Sequence, residues 1–297
     1  MSLPTQPAAL EPARQPPTPL LDARSLARRI LDLPPLPAAL AEAMRVLSHD
    51  EVPAQECVRA IERDPTLAMR VLQLANSGFY ASPSRVANLG DAVRLLGLRA
   101  VGAVLAAVSI KQMLGRLPGA GKAHEHRWRH ALATGCAARE LARERGTDAE
   151  EAFVAGLLHD VGAWLLAAFA PGTAVLVQAL QKTELLDLCT AERRILGMSH
   201  ADIGAQVAEV WHFPPDTAAA IAFHHRPRRF EDGGTELEWT VCVAHALTHE
   251  LEIPGGDAAP GLDHLLQAEV RKHLGLDQSV LARVRERTLV ALTSQEW

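Results

Sequence analysis

Residues 152–162 read AFVAGLLHDVG, an apolar run that ends on a histidine–aspartate doublet. Thr147 and Glu150 form a Thr-x-x-Glu capping box just upstream, and Phe153, Leu157 and Leu158 then recur at helical spacing, so the stretch predicts a helix carrying His159 and Asp160 at its far end. Adjacent residues on a helix point about 100° apart, which lets such a doublet serve two sides of one site.

Working outward, Val161 to Gln178 holds no charged residue and approaches the roughly 20 residues of a membrane-spanning helix. Pro171-Gly172 divides it, so we expect two buried helices joined by a turn and no transmembrane segment. Further on, Ser199-x-x-Asp202 opens another helix with Ile203, Val207, Val210 and Trp211 on one face. Upstream, Asp64-Pro65 supplies an N-cap and a first-turn proline. Leu67, Val71 and Leu74 follow until Asn76-Ser77-Gly78, and Leu89, Ala92, Val93 and Leu96 repeat the pattern before Gly97. Strand-like alternation is hardly present, which predicts an all-α fold. Gly/Pro-rich breaks fall at 115–121, 171–172, 214–215 and 254–261. They divide the chain into a Pro-rich disordered tail (1–21), an N-terminal helical part (22–115), a helical bundle (122–250) and a C-terminal helical extension (251–297) that packs or dimerises through Leu265, Val270, Leu274, Val280 and Val284.

With 297 residues and 48% apolar content, a large core is affordable, and a net charge of −5 argues against a basic nucleic-acid surface or a polybasic membrane face. The N-terminus lacks the basic-then-apolar order of a secretory signal. Cys57, Cys136, Cys189 and Cys242 are far apart with no CxxC spacing, which fits reduced thiols in a cytoplasmic protein. Trp128, Trp164, Trp211 and Trp239 read as core anchors, and Arg226, Arg228 and Arg229 as a short solvated cluster.

The unusual feature is 13 histidines beside 1 tyrosine. His130, His159, His200, His224, His225 and His245 cluster with Asp160 between residues 130 and 245. Imidazoles with a carboxylate can hold one or two cations (Fe, Mn, Zn or Ni) inside a helical bundle, and such cations can acidify water for attack on phosphorus. Each element also has a plainer reading: a hydrogen-bonded core pair for His159-Asp160, a helix end for His224-His225 before Arg226-Pro227.

The surroundings narrow the choice. AFVAGLLHDVG with His130 in WRHAL resembles the HD-domain phosphohydrolase superfamily. SHADIGAQVAEVWHFPPDTAAAIAFHHRP (199–227), LPPLPAAL (33–40), IERDPTLAMRVLQLANSGFY (61–80) and VANLGDAVRLLGLRAV (86–101) together resemble the HDOD family, a regulatory offshoot found in bacterial signal transduction. The resemblance covers about residues 33–250 and implies an HD-type helical bundle with an N-terminal helical subdomain. It also implies a metal centre of His130, His159, Asp160, His200, His224, His225 and His245, with Asp160 catalytic if turnover remains and Arg226 a phosphate contact.

Two departures bear on catalysis. His245 stands where the superfamily pattern closes with an aspartate, and Ala163 stands where the HD-GYP phosphodiesterases have a lysine after their doublet. Two functions follow: a signalling output module acting through protein partners with reduced or lost turnover, or a metal-dependent phosphohydrolase acting on a nucleotide or cyclic dinucleotide.

Overall fold

A computed structural model describes residues 36–48, 53–76, 85–117, 122–254 and 273–293, together with Arg28 and Arg271. The expectations for the tail 1–21, Ser77-Gly78, residues 118–121 and 255–261, Leu265 and Val270 lie outside these residues.

Every long element described is a helix, and the described residues contain no strand. The N-terminal part comprises α1 (Ala38–Ser48), α2 (Ala54–Glu62), α3 (Pro65–Ala75), α4 (Leu89–Leu96) and α5 (Leu98–Gly115). The bundle that follows comprises α6 (Lys122–Arg145), α7 (Ala149–Leu158), α8 (Val161–Phe169), α9 (Thr173–Glu184), α10 (Leu188–Leu196), α11 (His200–Val210), α12 (Pro215–Phe223), a 3-10 turn (Phe230–Asp232) and α13 (Glu236–Glu250), with α14 (Gln278–Thr293) near the C-terminus.

Two of the predicted caps open their helices. Asp64 accepts from the Thr66 amide at 2.8 Å with Pro65 in the first turn, and Gly97 ends α4 with φ +80°. Ser199 and Asp202 form the expected reciprocal box, the Ser199 amide donating to Asp202 at 2.8 Å. The box expected at Thr147 is corrected. Gly146 (φ +69°) turns the end of α6, and the Thr147 amide donates back to the Ala142 carbonyl at 3.0 Å, so Thr147 still belongs to that helix end. Asp148 caps α7 instead, accepting from the Glu150 and Glu151 amides at 3.1 and 3.0 Å.

α5 packs against both α1 and α7, so one apolar core runs from Leu40, Ile61 and Leu67 through Leu105 and Ile110 to Phe153, Leu157, Ile203 and Ile221. A second cluster joins α6, α13 and α14 through Leu141, Trp239, Leu247, Leu281 and Val284, so the C-terminal extension packs on the bundle. Trp164 and Trp211 are also buried, whereas Trp128 is only half-buried. Leu98–Gly115 and Ala149–Phe169 are long and apolar enough to cross a membrane, and most of each is buried inside the bundle. The 161–178 expectation is half met. α8 is buried, but α9 lies at the periphery against α10, burying Thr173 and Val177 and leaving Val175 71% exposed.

The approach of α8 to α11 is unusually close. A Cβ on Gly162 would lie 1.9 Å from the His200 carbonyl oxygen and 2.7 Å from the Gly204 amide nitrogen, both backbone atoms that cannot swing aside. Gly162→Ala is therefore expected to destabilise the protein by about 1–3 kcal/mol or more and to push His200 away from Asp160. Gly172→Ala, where the added Cβ meets open space, should melt within about 0.5 kcal/mol of the parent. Equal melting temperatures for the two variants would show that the backbones separate at little cost.

Candidate metal centre

His159 is the C-cap of α7 and Asp160 the N-cap of α8, so the doublet sits at a joint between two helices rather than within one. His130 comes from α6, His200 opens α11, His224 caps the end of α12 with His225 next to it, and His245 comes from α13. Six helices thus converge, and the fold brings together all seven residues expected as ligands. His159, His200, His224 and His245 are fully buried, His130 and Asp160 almost so, and His225 half-buried.

Asp160 lies at the centre of one half. Its carboxylate is 3.7 Å from His159 Nε2, 3.6 Å from His200 Nε2 and 3.5 Å from His224 Nε2. The opposite nitrogens of those rings are already committed. His159 Nδ1 lies 2.7 Å from the Gly156 carbonyl, His224 Nδ1 2.7 Å from the Ile221 carbonyl, and His200 Nδ1 2.7 Å from Glu192. Only N–H groups satisfy these acceptors, so the three rings are Nδ1–H tautomers that turn their Nε2 lone pairs toward the carboxylate, and His159 Nε2 has no hydrogen-bond partner. His200 Nε2 also lies 3.3 Å from His224 Nε2 and 2.8 Å from His225 Nε2. Lone pairs facing a carboxylate in a dry interior repel it unless something positive stands between them.

The other half contains His130, His245 and His249, with His159 bordering both. The His130 and His245 rings are 5.1 Å apart, and each is about 5 Å from the His159 ring. Both nitrogens of His130, Nδ1 of His245, Nε2 of His159 and Oδ1 of Asp160 are buried without a hydrogen-bond partner. So many orphaned polar atoms in one place make a donor set that could hold a cation.

Burial keeps His130 and His159 neutral and ready to donate lone pairs. It pushes His130 down to about 4 and His159 down to about 3, with Asp160 partly opposing both shifts. Burial and neighbouring imidazoles also push His225 and His245 down. For Asp160 burial works against ionisation, and His159, His224 and His200 outweigh it, holding the carboxyl well below its ordinary range.

Sequence reasoning missed three participants. Glu192, 4% exposed, accepts from both the backbone amide and Nδ1 of His200, yet in the run AERR it reads as a solvated charge. Cys189 places its sulfur within 4.8 Å of ligand nitrogens of His200 and His225, a proximity no cysteine spacing reveals. His249 was legible in principle, since it follows His245 by one helical turn. Arg226 is exposed beyond His225 and, with Thr190, counters burial to hold the Asp187 carboxyl low. The expectation of a solvated arginine cluster holds for Arg226 and Arg229, which are exposed, and is corrected at Arg228. Arg228 ion-pairs with fully buried Glu238 and lies over the Phe223 ring at 4.7 Å, because that glutamate requires a partner inside.

The HDOD domain model matches residues 33–227. An uncharacterized protein of Treponema pallidum (strain Nichols) is 28% identical over 225 residues, covering 75% of this chain, which spans only 43% of that protein's length. Among solved structures, a protein of Shewanella amazonensis SB2B provisionally named a phosphohydrolase is 26% identical with TM-score 0.69, covering 91% of this chain and 96% of its own. An HDOD domain protein of Geobacter sulfurreducens of unknown function has TM-score 0.73 at 23% identity, covering 92% and 96%, and shares the fold.

Proposed function

Because the chain belongs to the HDOD domain family, we propose that it is a bacterial, cytoplasmic signal-transduction module that acts through protein partners and holds one or two divalent cations, with turnover reduced or lost. The observation that carries the metal assignment is the convergence of three imidazole Nε2 atoms on the buried Asp160 carboxylate. Imidazole with a single carboxylate suits Fe, Mn, Zn or Ni. Asp160, His159, His200, His224 and His225 would hold one ion, and His130 and His245 would serve a second. A bound cation supplies Lewis acidity and neutralises developing negative charge.

The chain's own groups prepare that site. The Gly156 and Ile221 carbonyls fix the tautomers of His159 and His224, and Glu192 orients His200 and raises its basicity. The two departures weigh against turnover. Ala163 puts a half-buried methyl group where a phosphate-positioning lysine would stand, and His245 puts a neutral ring where a second carboxylate would bridge. The signalling input then comes from another chain. No nucleic acid or membrane enters this reading, and a homodimer would use the exposed Leu289 and Val290 of α14.

The second reading is a phosphohydrolase acting on a nucleotide or cyclic dinucleotide, with Asp160 catalytic and Arg226 contacting phosphate. It is favoured by the complete His159–Asp160–His200–His224 set and by the name of the Shewanella protein. A phosphodiesterase assay on Mn- or Fe-loaded protein separates the two. We expect no turnover above that of Asp160→Ala on linear or cyclic dinucleotides, whereas turnover that Asp160→Ala abolishes would establish the second reading.

A further inference from the structure

His249 is the one member of the histidine cluster that neither the superfamily pattern nor its spacing to the doublet assigns. It follows His245 by four residues on α13, so both rings face the same side of that helix, the spacing by which paired histidines grip one metal ion in helical zinc sites. His249 Nε2 lies 3.0 Å from His245 Nε2, and its ring centre is 5.2 Å from that of His130 on α6. The two helices are held together one turn away by Thr134 and Thr248, whose hydroxyls are 3.3 Å apart.

An ordinary hydrogen bond between His249 and His245 accounts for one contact only. It leaves Nδ1 of His245 and both nitrogens of His130 buried and unpartnered, three orphaned atoms on rings that are at most 1% exposed. A cation shared by the three rings would take one lone pair from each and give one orphaned His130 nitrogen a partner. Apart from Asp160, whose oxygens face His159, His200 and His224, no carboxylate joins the metal-capable groups of this cluster.

We propose that His130, His245 and His249 form a second, all-imidazole cation subsite that selects Zn or Ni over Mn and Mg, beside the carboxylate-containing subsite of Asp160. This rests on the metal reading above and deepens it. A neutral set of three nitrogens offers no charge to hard cations, which prefer oxygen, whereas borderline cations gain most from imidazole. In this half of the site, the replacement of a carboxylate by His245 becomes a change of metal preference rather than a simple loss.

The test is calorimetric titration of the metal-stripped full chain with Zn and, separately, Mn, comparing the parent with His249→Ala and His249→Asp. Circular dichroism melts of the stripped proteins check that the half-buried position tolerates change. We expect two Zn ions in the parent, loss of at least about tenfold in affinity for one of them in His249→Ala with Mn binding unchanged, and a gain in Mn affinity in His249→Asp. Two Zn ions bound with parental affinities in His249→Ala, or a single Zn ion in the parent, would overturn the subsite and leave the Asp160 site standing. A parent that binds neither Zn nor Mn would overturn both.

Discussion

Stripping metal from the purified protein should lower its melting temperature by about 5–10 °C, and restoring Fe, Mn, Zn or Ni should reverse the loss. A cation that binds only the folded state at about 100 times its dissociation constant adds about 2.7 kcal/mol, and each kcal/mol moves the midpoint of a domain this size by about 2–4 °C. The energetic source is the cluster around Asp160, whose ring nitrogens are held together by the fold whether or not a cation is present. His159→Ala should abolish the response to Mn, since its Nε2 is one of the orphaned atoms beside the carboxylate. In Mn that variant should melt at the same temperature with and without chelator, while Gly172→Ala keeps the full parental response. Purified protein that contains no transition metal and gains no stability from any of the four would end the metal reading.

Much of this site could be read from residue order, and what could not has a physical pattern. His130, the His159-Asp160 doublet, His200, the His224-His225 doublet and His245 all converge, as the resemblance of their motifs to a metal-binding HD bundle implied. The helix boundaries were legible wherever a side chain caps a helix, as at Asp64 and Ser199, and slipped at Thr147, where the preceding helix end claims the residue first. Contacts between distant segments were not legible. Glu192 is eight residues from His200 and charged, and only the packing of α10 beside α11 turns it inward. Arg228 shows the same limit, because nothing local says that Glu238 is buried beneath it. The near-collision of Gly162 with the His200 carbonyl likewise exists only once α8 and α11 are packed, although it sets how closely His200 approaches the doublet.

The metal-free protein should lose most of its stability between about pH 6.5 and pH 4, well above the range in which carboxylates protonate. His130 is pushed from 6.5 to about 4 and His159 from 6.5 to about 3 by burial, so below pH 6.5 the unfolded chain takes up protons that the native rings refuse. Stability therefore falls as pH falls from the unfolded value and levels off only below the folded ones. At about pH 5 each ring alone costs on the order of 2 kcal/mol, and His245 and His225, pushed in the same direction, add to the loss. A typical domain has only about 5–15 kcal/mol to lose. Asp160 acts in a separate window: its lowered carboxyl contributes stability above the ordinary 3.8, lost as pH falls through its folded value. Bound metal should shift the histidine-driven loss to lower pH, because a cation occupies the lone pairs that protons would take, until protons displace it. Urea midpoints of the stripped protein at about pH 7.5 and about pH 5 measure the effect, and His130→Gln, which removes one titrating ring, should flatten the difference. Equal midpoints at the two pH values would mean that the rings reach solvent and protonate in place, and the buried, neutral, lone-pair-donating cluster on which the metal assignment depends would not exist.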